Sequence, residues 1–271
     1  SINSKPLKQA LAYLFRCVVD FGFFKILDFT LNDMLNMSAM LVYIFSAVLI
    51  FVFNLYFDRL IVFDNTEKAE KNGDTKLYRS FFENRFVLLS MCLATVGILF
   101  VFMIFKMFPF GDTTVLRMDL YHQYGPLFVE LYDRITDFKS FLYSWESGGG
   151  SSFLGNYFNY LSSPFSFLIF LFDKNQIGYA ITFLVIIKGV LSAGTFTYFL
   201  KRSFDAHSYV SASFGVFYAF SGYFLAYYWN IMWVDGMIWL PLVALGIENI
   251  INKGKCKRYI LSLSVLLFSS Y

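Results

Sequence analysis

The polar residues best placed for chemistry lie near the middle of the chain, between Asp112 and Pro164. His122 and Gln123 follow Asp119 by three and four residues, so on a helix their side chains can meet. A carboxylate in such a group can accept a proton, and the imidazole and amide can orient a hydroxyl group or bind phosphate. The three side chains could also complete a divalent-metal site. One Asp and one His are too sparse a set to identify a metal, however, so none is assigned.

The segment that carries these residues has the pattern of an amphipathic helix. Polar residues, among them Asp119, Glu130 and Arg134, gather on one face. Apolar residues recur at helical spacing on the other face, namely Leu120, Tyr124, Leu127, Leu131 and Ile135. Such a helix beside membrane spans is expected to lie in the interface plane. The Ser147–Gly150 run after it favours a flexible loop over a phosphate cradle, because no GxGxxG or Walker pattern accompanies it.

The composition predicts an all-α, polytopic integral membrane protein. The chain has 271 residues, of which 58% are hydrophobic and only 15% are charged, whereas soluble domains carry about 25% charged residues. A net charge of +3, concentrated in short connectors, gives no reason to expect nucleic acid as a partner. Cys17, Cys92 and Cys256 have no metal-ligand spacing, which disfavours disulfides and metal clusters.

Six apolar runs are long enough to predict membrane spans: 7–29, 37–57, 87–105, 177–200, 208–234 and 236–252. The apolar run 164–172 is too short to cross and is predicted to be re-entrant or interfacial. A basic linker at 64–85 separates the first two spans from the rest. A further apolar run begins at Tyr259 but is too short to span before the sequence stops, so we expect the sequence to be the amino-terminal part of a longer protein.

The distribution of Lys and Arg predicts the orientation of the spans. The basic connectors 59–85, 201–202 and 253–258 are assigned to the cytoplasm by the positive-inside rule. Counting spans then places the loop 109–176 and the connection 228–235 on the opposite, outer side. Asp119, Asn230 and Asp235 are therefore expected to share the outer face.

Several ordered motifs resemble the bacterial YfhO membrane family. They are DLYHQYGP at 119–126, SGGG at 147–150, YLSSPF at 160–165 and WVDGMIWLPL at 233–242. The resemblance runs from about residue 85 to the end, so 86–271 is expected to be the amino-terminal part of a YfhO transmembrane domain. More faintly, FRCVVDF at 15–21 and FNLYFDRLIVF at 53–63 resemble a GtrA-type protein, which implies a two-span GtrA-like region over 1–63.

The YfhO resemblance implies a GT-C-like helical bundle and a glycosyltransferase activity. The donor would be a polyprenyl-phosphate-linked sugar, and the acceptor a cell-envelope polymer such as lipoteichoic acid, outside the bacterial cytoplasmic membrane. The alternative is a non-catalytic transporter or flippase of lipid-linked sugars, in which Lys188 and Asp20 line a pathway and Asp119 is only an interfacial residue. A structural partner in an envelope-assembly complex is a third reading.

The GT-C pattern implies that Asp119 is the catalytic base, because an acidic residue in the first outer loop takes the proton of the acceptor hydroxyl. The other reading of Asp119 is a helix-start residue, whose charge suits the helix N-terminus. The leaving phosphate needs positive charge, for which Arg117, Arg134 and Lys188 are candidates. A Lys at mid-span is costly, so Lys188 either binds phosphate, snorkels to the interface or has a structural partner.

Asn230 and Asp235 are predicted to close the span 208–234 at the outer face. There they could help to bind the acceptor or a metal.

Overall fold

Helices form all the regular structure of the residues that the computed structural model describes, 83–269. The predicted GtrA-like region 1–63, the first two predicted spans and nearly all of the linker lie outside the described residues. Residues 83–108 and 112–269 belong to one unit of the chain. Its α-helices are α1 (Arg85–Ile104), α2 (Gly125–Thr136), α3 (Phe153–Asn156), α4 (Ile177–Phe204), α5 (Tyr209–Ala219), α6 (Gly222–Tyr227), α7 (Ile231–Lys253) and α8 (Lys257–Ser269).

Within residues 83–269, four segments are long and apolar enough to cross a membrane: Arg85–Ile104, Lys174–Phe204, Tyr209–Tyr227 and Ile231–Lys253. The 20 residues of α1 extend about 30 Å, the thickness of a bilayer's hydrocarbon core. These segments correspond to the four spans predicted for this part of the chain. The predicted all-α, multi-pass membrane architecture is therefore confirmed.

Helix α4 is the centre of the bundle and packs against α1, α5 and α7. Small residues allow the close approach of its neighbours. A side chain on Gly215 of α5 would come within 2.7 Å of the Ala193 carbonyl oxygen of α4, so only glycine fits there. Helix α5 begins with a reciprocal capping box, in which the side chains of Ser208 and Ser211 each accept a hydrogen bond from the other residue's backbone N–H.

The turn before α7 differs from the predicted boundary. The run 208–234 does not form one span that ends at Asp235: α6 ends at Tyr227, and α7 begins at Ile231. Backbone N–H groups close the turn, from Asn230 to the Tyr227 carbonyl and from Trp233 to the Asn230 carbonyl. This turn contains no charged residue, Gly or Pro that would mark it. The boundary predicted from the sequence therefore came too late in the chain. Asp235 therefore lies inside the α7 span and not in the connection.

The segment between α1 and α4 contains the predicted amphipathic helix, preceded by a π-helical turn at Leu120–Tyr124. Its predicted apolar face is confirmed, since Leu120, Leu127 and Leu131 are buried. The prediction of an exposed polar face is wrong at two positions, because Glu130 and Arg134 are buried as well. The run 164–172 forms an eight-residue 3-10 helix, Pro164–Leu171. At about 2 Å per residue this helix is too short to cross, as predicted.

Candidate functional site

Asp119 lies where the amphipathic segment begins, immediately before the π-helical turn. In this turn the Gly125 N–H donates to the Leu120 carbonyl, five residues back. Because the π-helical turn is wider than an α-helical turn, the residues on the same side as Asp119 are the fourth and fifth after it, Gln123 and Tyr124. In an α-helix they would be the third and fourth. Asp119 is exposed, and its carboxylate has no hydrogen bond or ion pair with any residue between 83 and 269. Short π-helical segments are rare and occur frequently at functional sites.

Tyr124, five residues after Asp119, lies in the core beneath it. Its side chain is fully buried and contacts the ring of Tyr160 edge-on, with the ring centroids 5.6 Å apart. Tyr160 belongs to a second π-helical turn, Tyr157–Leu161. Burial raises the pKa of Tyr124, and the negative charges of Asp119 and Asp235 act in the same direction. The two π-helical turns therefore meet through their tyrosines, close to both carboxylates.

Lys188 and Asp235 form an ion pair in the interior of the bundle. Lys188 Nζ lies 2.7 Å from Asp235 Oδ2 and donates a second hydrogen bond to the Ile231 carbonyl oxygen at 2.9 Å. The side chains are 2% and 0% exposed. The Phe165 ring, from the YLSSPF motif, lies 6.0 Å from the ammonium group. The pair thus joins the centre of α4 to the first two turns of α7, next to the 3-10 helix Pro164–Leu171.

Arg117, two residues before Asp119, contacts the turn that precedes α7, and this turn also contains Asn230. Arg117 is exposed, and its guanidinium lies 4.8 Å from the centre of the Tyr228 ring. Burial raises the pKa of Tyr228, and this cation partly offsets the shift. Asn230 is buried. Because Arg117 is only two residues before Asp119, it is the basic side chain nearest to Asp119 in sequence.

Arg134 lies elsewhere, where it holds the loop that follows α2. Its guanidinium pairs with Glu130 at 2.6 Å, donates to the carbonyl oxygens of Ser140 and Tyr143, and lies 4.2 Å from the centre of the Phe153 ring. These contacts engage both terminal nitrogens of the guanidinium, and the Phe153 ring covers one of its faces. The geometry therefore gives Arg134 a structural role in the loop and offers little of its guanidinium to a phosphate.

His122 lines an open cleft with a volume of about 640 Å³. The cleft lies between the start of the amphipathic segment, the loop at Glu146 and Ser147, and the residues that lead into α4. Asp119 does not line the cleft, and neither does Gln123, which is half-buried. His122 thus belongs to the cleft, whereas Asp119 lies outside it at the start of the π-helical turn.

The residues do not fit a metal. Between 83 and 269, three or more His, Cys, Asp or Glu side chains nowhere gather as a divalent ion would require. Asp235, the second predicted carboxylate, is already paired with Lys188. No step of the chemistry is therefore assigned to a metal.

The family model for the bacterial membrane protein YfhO matches residues 90–271. The chain belongs to the YfhO family. The match includes every residue of the site described above, and the family predicted from the four motifs is confirmed. No curated protein and no solved structure matches the chain.

The structure of this YfhO-family chain brings together three of its four motifs. Asp119 and Tyr124 come from the first, Tyr160 and Phe165 from the third, and Asp235 from the fourth. Neither tyrosine was predicted as a site residue, and the partner of Lys188 was not identified from the sequence. Lys188 and Asp235 are single opposite charges in neighbouring apolar spans, and that pattern signals a buried pair because an unpaired charge inside a membrane is costly.

Proposed function

We propose that the protein is a membrane glycosyltransferase that uses a polyprenyl-phosphate-linked sugar. It transfers the sugar to a polymer of the cell envelope, such as lipoteichoic acid, on the outer face of the bacterial cytoplasmic membrane. Membership of the YfhO family and the four membrane-crossing segments support a membrane enzyme of this kind. The bundle then resembles the amino-terminal part of a GT-C enzyme.

One observation carries the proposal: Asp119 is an exposed and unpaired carboxylate, among the described residues, at the start of a π-helical turn. In the proposed reaction Asp119 takes the proton from an acceptor hydroxyl group. The hydroxyl oxygen then forms a bond with the anomeric carbon of the sugar, and the bond from that carbon to the phosphate oxygen breaks. The electron pair leaves with polyprenyl phosphate, and the configuration at carbon inverts. Positioned base catalysis of this sort contributes about 10²–10⁴-fold.

Arg117 is the cation that we assign to the leaving phosphate. Its side chain is exposed two residues before Asp119. Among the described residues, its guanidinium contacts only the Tyr228 ring. Lys188, by contrast, is buried and holds Asp235 and the Ile231 carbonyl. We therefore give Lys188 a positioning role, in which it fixes the turn before α7 beneath the reacting groups.

The rival function is a transporter or flippase of lipid-linked sugars. In that reading Lys188 presents its charge to a pathway through the membrane. The pairing of Lys188 with Asp235 gives this reading less support, because the charge is already compensated within the bundle. Asp20, the other residue of that reading, lies outside the described residues.

A transfer assay on the complete protein in lipid vesicles separates the two functions. Radiolabelled polyprenyl-phosphate sugar and purified envelope polymer are supplied on the same side of the membrane, and label in the polymer is counted. We expect Asp119→Asn to reduce transfer at least about 100-fold, and Asp112→Asn, an exposed control in the same loop, to leave it unchanged. Movement of the donor across the bilayer without transfer would instead support the flippase.

A further inference from the structure

The cleft beside His122 has the size and lining of a ligand site. Its volume of about 640 Å³ is in the range of pockets for small ligands, about 300–1,000 Å³. Four polar residues that no prediction assigned line it together with His122: Glu146, Ser147, Lys174 and Asn175. They come from the outer loop and from the turn before α4, so separate parts of the segment converge on one space.

The charges of the lining disfavour a phosphate group as the main ligand. Lys174 is neutralised by Asp133 at 2.7 Å, and the buried Glu130 is neutralised by Arg134. The Glu146 side chain has no hydrogen bond or ion pair with any residue in 83–269 and is exposed. The cleft therefore offers one carboxylate without a direct hydrogen-bond or ion-pair partner among the described residues, together with an imidazole, an amide and a hydroxyl. This set accepts and donates hydrogen bonds and suits the hydroxyl groups of a neutral ligand.

The loop that carries Glu146 and Ser147 is held in a defined shape. Ser144 and Ser151 exchange two backbone hydrogen bonds of 2.8 Å across its base. Three successive glycines, Gly148–Gly150, all have positive φ, from 61° to 124°, which residues with a side chain rarely adopt. Arg134 holds the preceding residues. These contacts give the loop a defined turn geometry, in which Glu146 and Ser147 line the cleft; the flexibility of the loop stays a prediction.

We infer that this cleft binds a hydroxyl-rich chain, a glycan or a polyol, as the acceptor of the reaction. The inference rests on the proposed function. His122 lines the cleft three residues after Asp119, whereas Asp119 does not line it. The cleft therefore holds a part of the acceptor beside the reacting hydroxyl, and it determines which polymer is glycosylated.

Binding without turnover tests this inference on the complete protein in nanodiscs. The probes are a glucose hexasaccharide and ribitol, a neutral glycan and a neutral polyol, and each is titrated by calorimetry in the absence of donor. We expect at least one probe to bind. Loss of a hydrogen bond to a charged group by Glu146→Gln, and filling of the cleft by Ser147→Trp, should each weaken binding about tenfold or more.

One control variant makes the result specific. Asp112→Asn lies outside the cleft lining and should bind the probe as the parent protein does. Failure of both probes to bind, or binding that Glu146→Gln and Ser147→Trp leave unchanged, would overturn the inference. Probe binding that is retained by Asp119→Asn while its transfer activity is also retained would support the cleft and refute the proposed catalytic base.

Discussion

The buried ion pair between Lys188 and Asp235 gives the sharpest prediction about stability. Lys188→Met removes the cation and its two hydrogen bonds, of 2.7 Å to Asp235 and 2.9 Å to the Ile231 carbonyl. The Asp235 side chain, 0% exposed, would then be a buried charge without a cation beside it. Breaking a buried pair in this way costs about 3–5 kcal/mol. We expect a loss of this size in the free energy of unfolding.

A double-mutant cycle separates the pair from the packing around it. The double variant Lys188→Met with Asp235→Asn has no uncompensated charge, so it should be destabilised by less than the sum of the single variants. We expect a coupling of about 2–3 kcal/mol. Lys174→Met is the matched control: Lys174 also lies 2.7 Å from a carboxylate oxygen, but 48% of its side chain is exposed. Its loss should cost about 1 kcal/mol or less.

The assay is reversible unfolding of the complete protein in mixed micelles, followed by circular dichroism as sodium dodecyl sulfate is added. The parent, both single variants, the double variant and the Lys174→Met control are measured in the same micelles. Single variants as stable as the control, or a double variant whose loss equals the sum of the two single losses, would refute the reasoning.

The segment between α1 and α4 offers three further tests. Gly150→Ala should make the loop sensitive to protease, because φ is +124° and the new methyl group would overlap the Tyr143 hydroxyl; Gly148→Ala, with free space around it, should be tolerated better. Arg134→Lys should lower the free energy of unfolding by about 2 kcal/mol or more, since one ammonium cannot replace both ends of the guanidinium, and equal denaturation midpoints would contradict this. Because burial raises the pKa of Tyr124, its contribution to stability is complete below the unfolded-state pKa of about 10 and is lost as pH rises above it. Tyr124→Phe should weaken the loss of stability as pH rises above about 10, and an unchanged pH profile would argue against the shift.

The sequence predicted the membrane class, the four described spans, the non-crossing segment 164–172 and the family. These features depend on local composition and ordered motifs, which a sequence displays directly. The apolar face of the amphipathic helix was equally readable, because Leu120, Leu127 and Leu131 keep a regular spacing.

The interior of the site could not be read in the same way. The π-helical turn shifts the positions that face Asp119, and the spacing of His122 and Gln123 assumed an ordinary α-helix. The pairing of Lys188 with Asp235 depends on the register of α4 against α7, which no local pattern specifies. Arg134 looked like a free cation on a polar face, yet the loop folds back over it and uses it as a brace.

Replacement of Asp119 by Asn in cells that carry the complete protein tests the central claim most directly. Sugar on the envelope polymers is measured by hydrolysis and chromatography, and membrane abundance is measured in the same samples. Asp112→Asn serves as the control, since it removes an exposed carboxylate from the same loop. Loss of one glycosyl decoration at normal abundance, with Asp112→Asn unaffected, is the predicted result. Full decoration in the Asp119→Asn cells would contradict the assignment of Asp119 as the base.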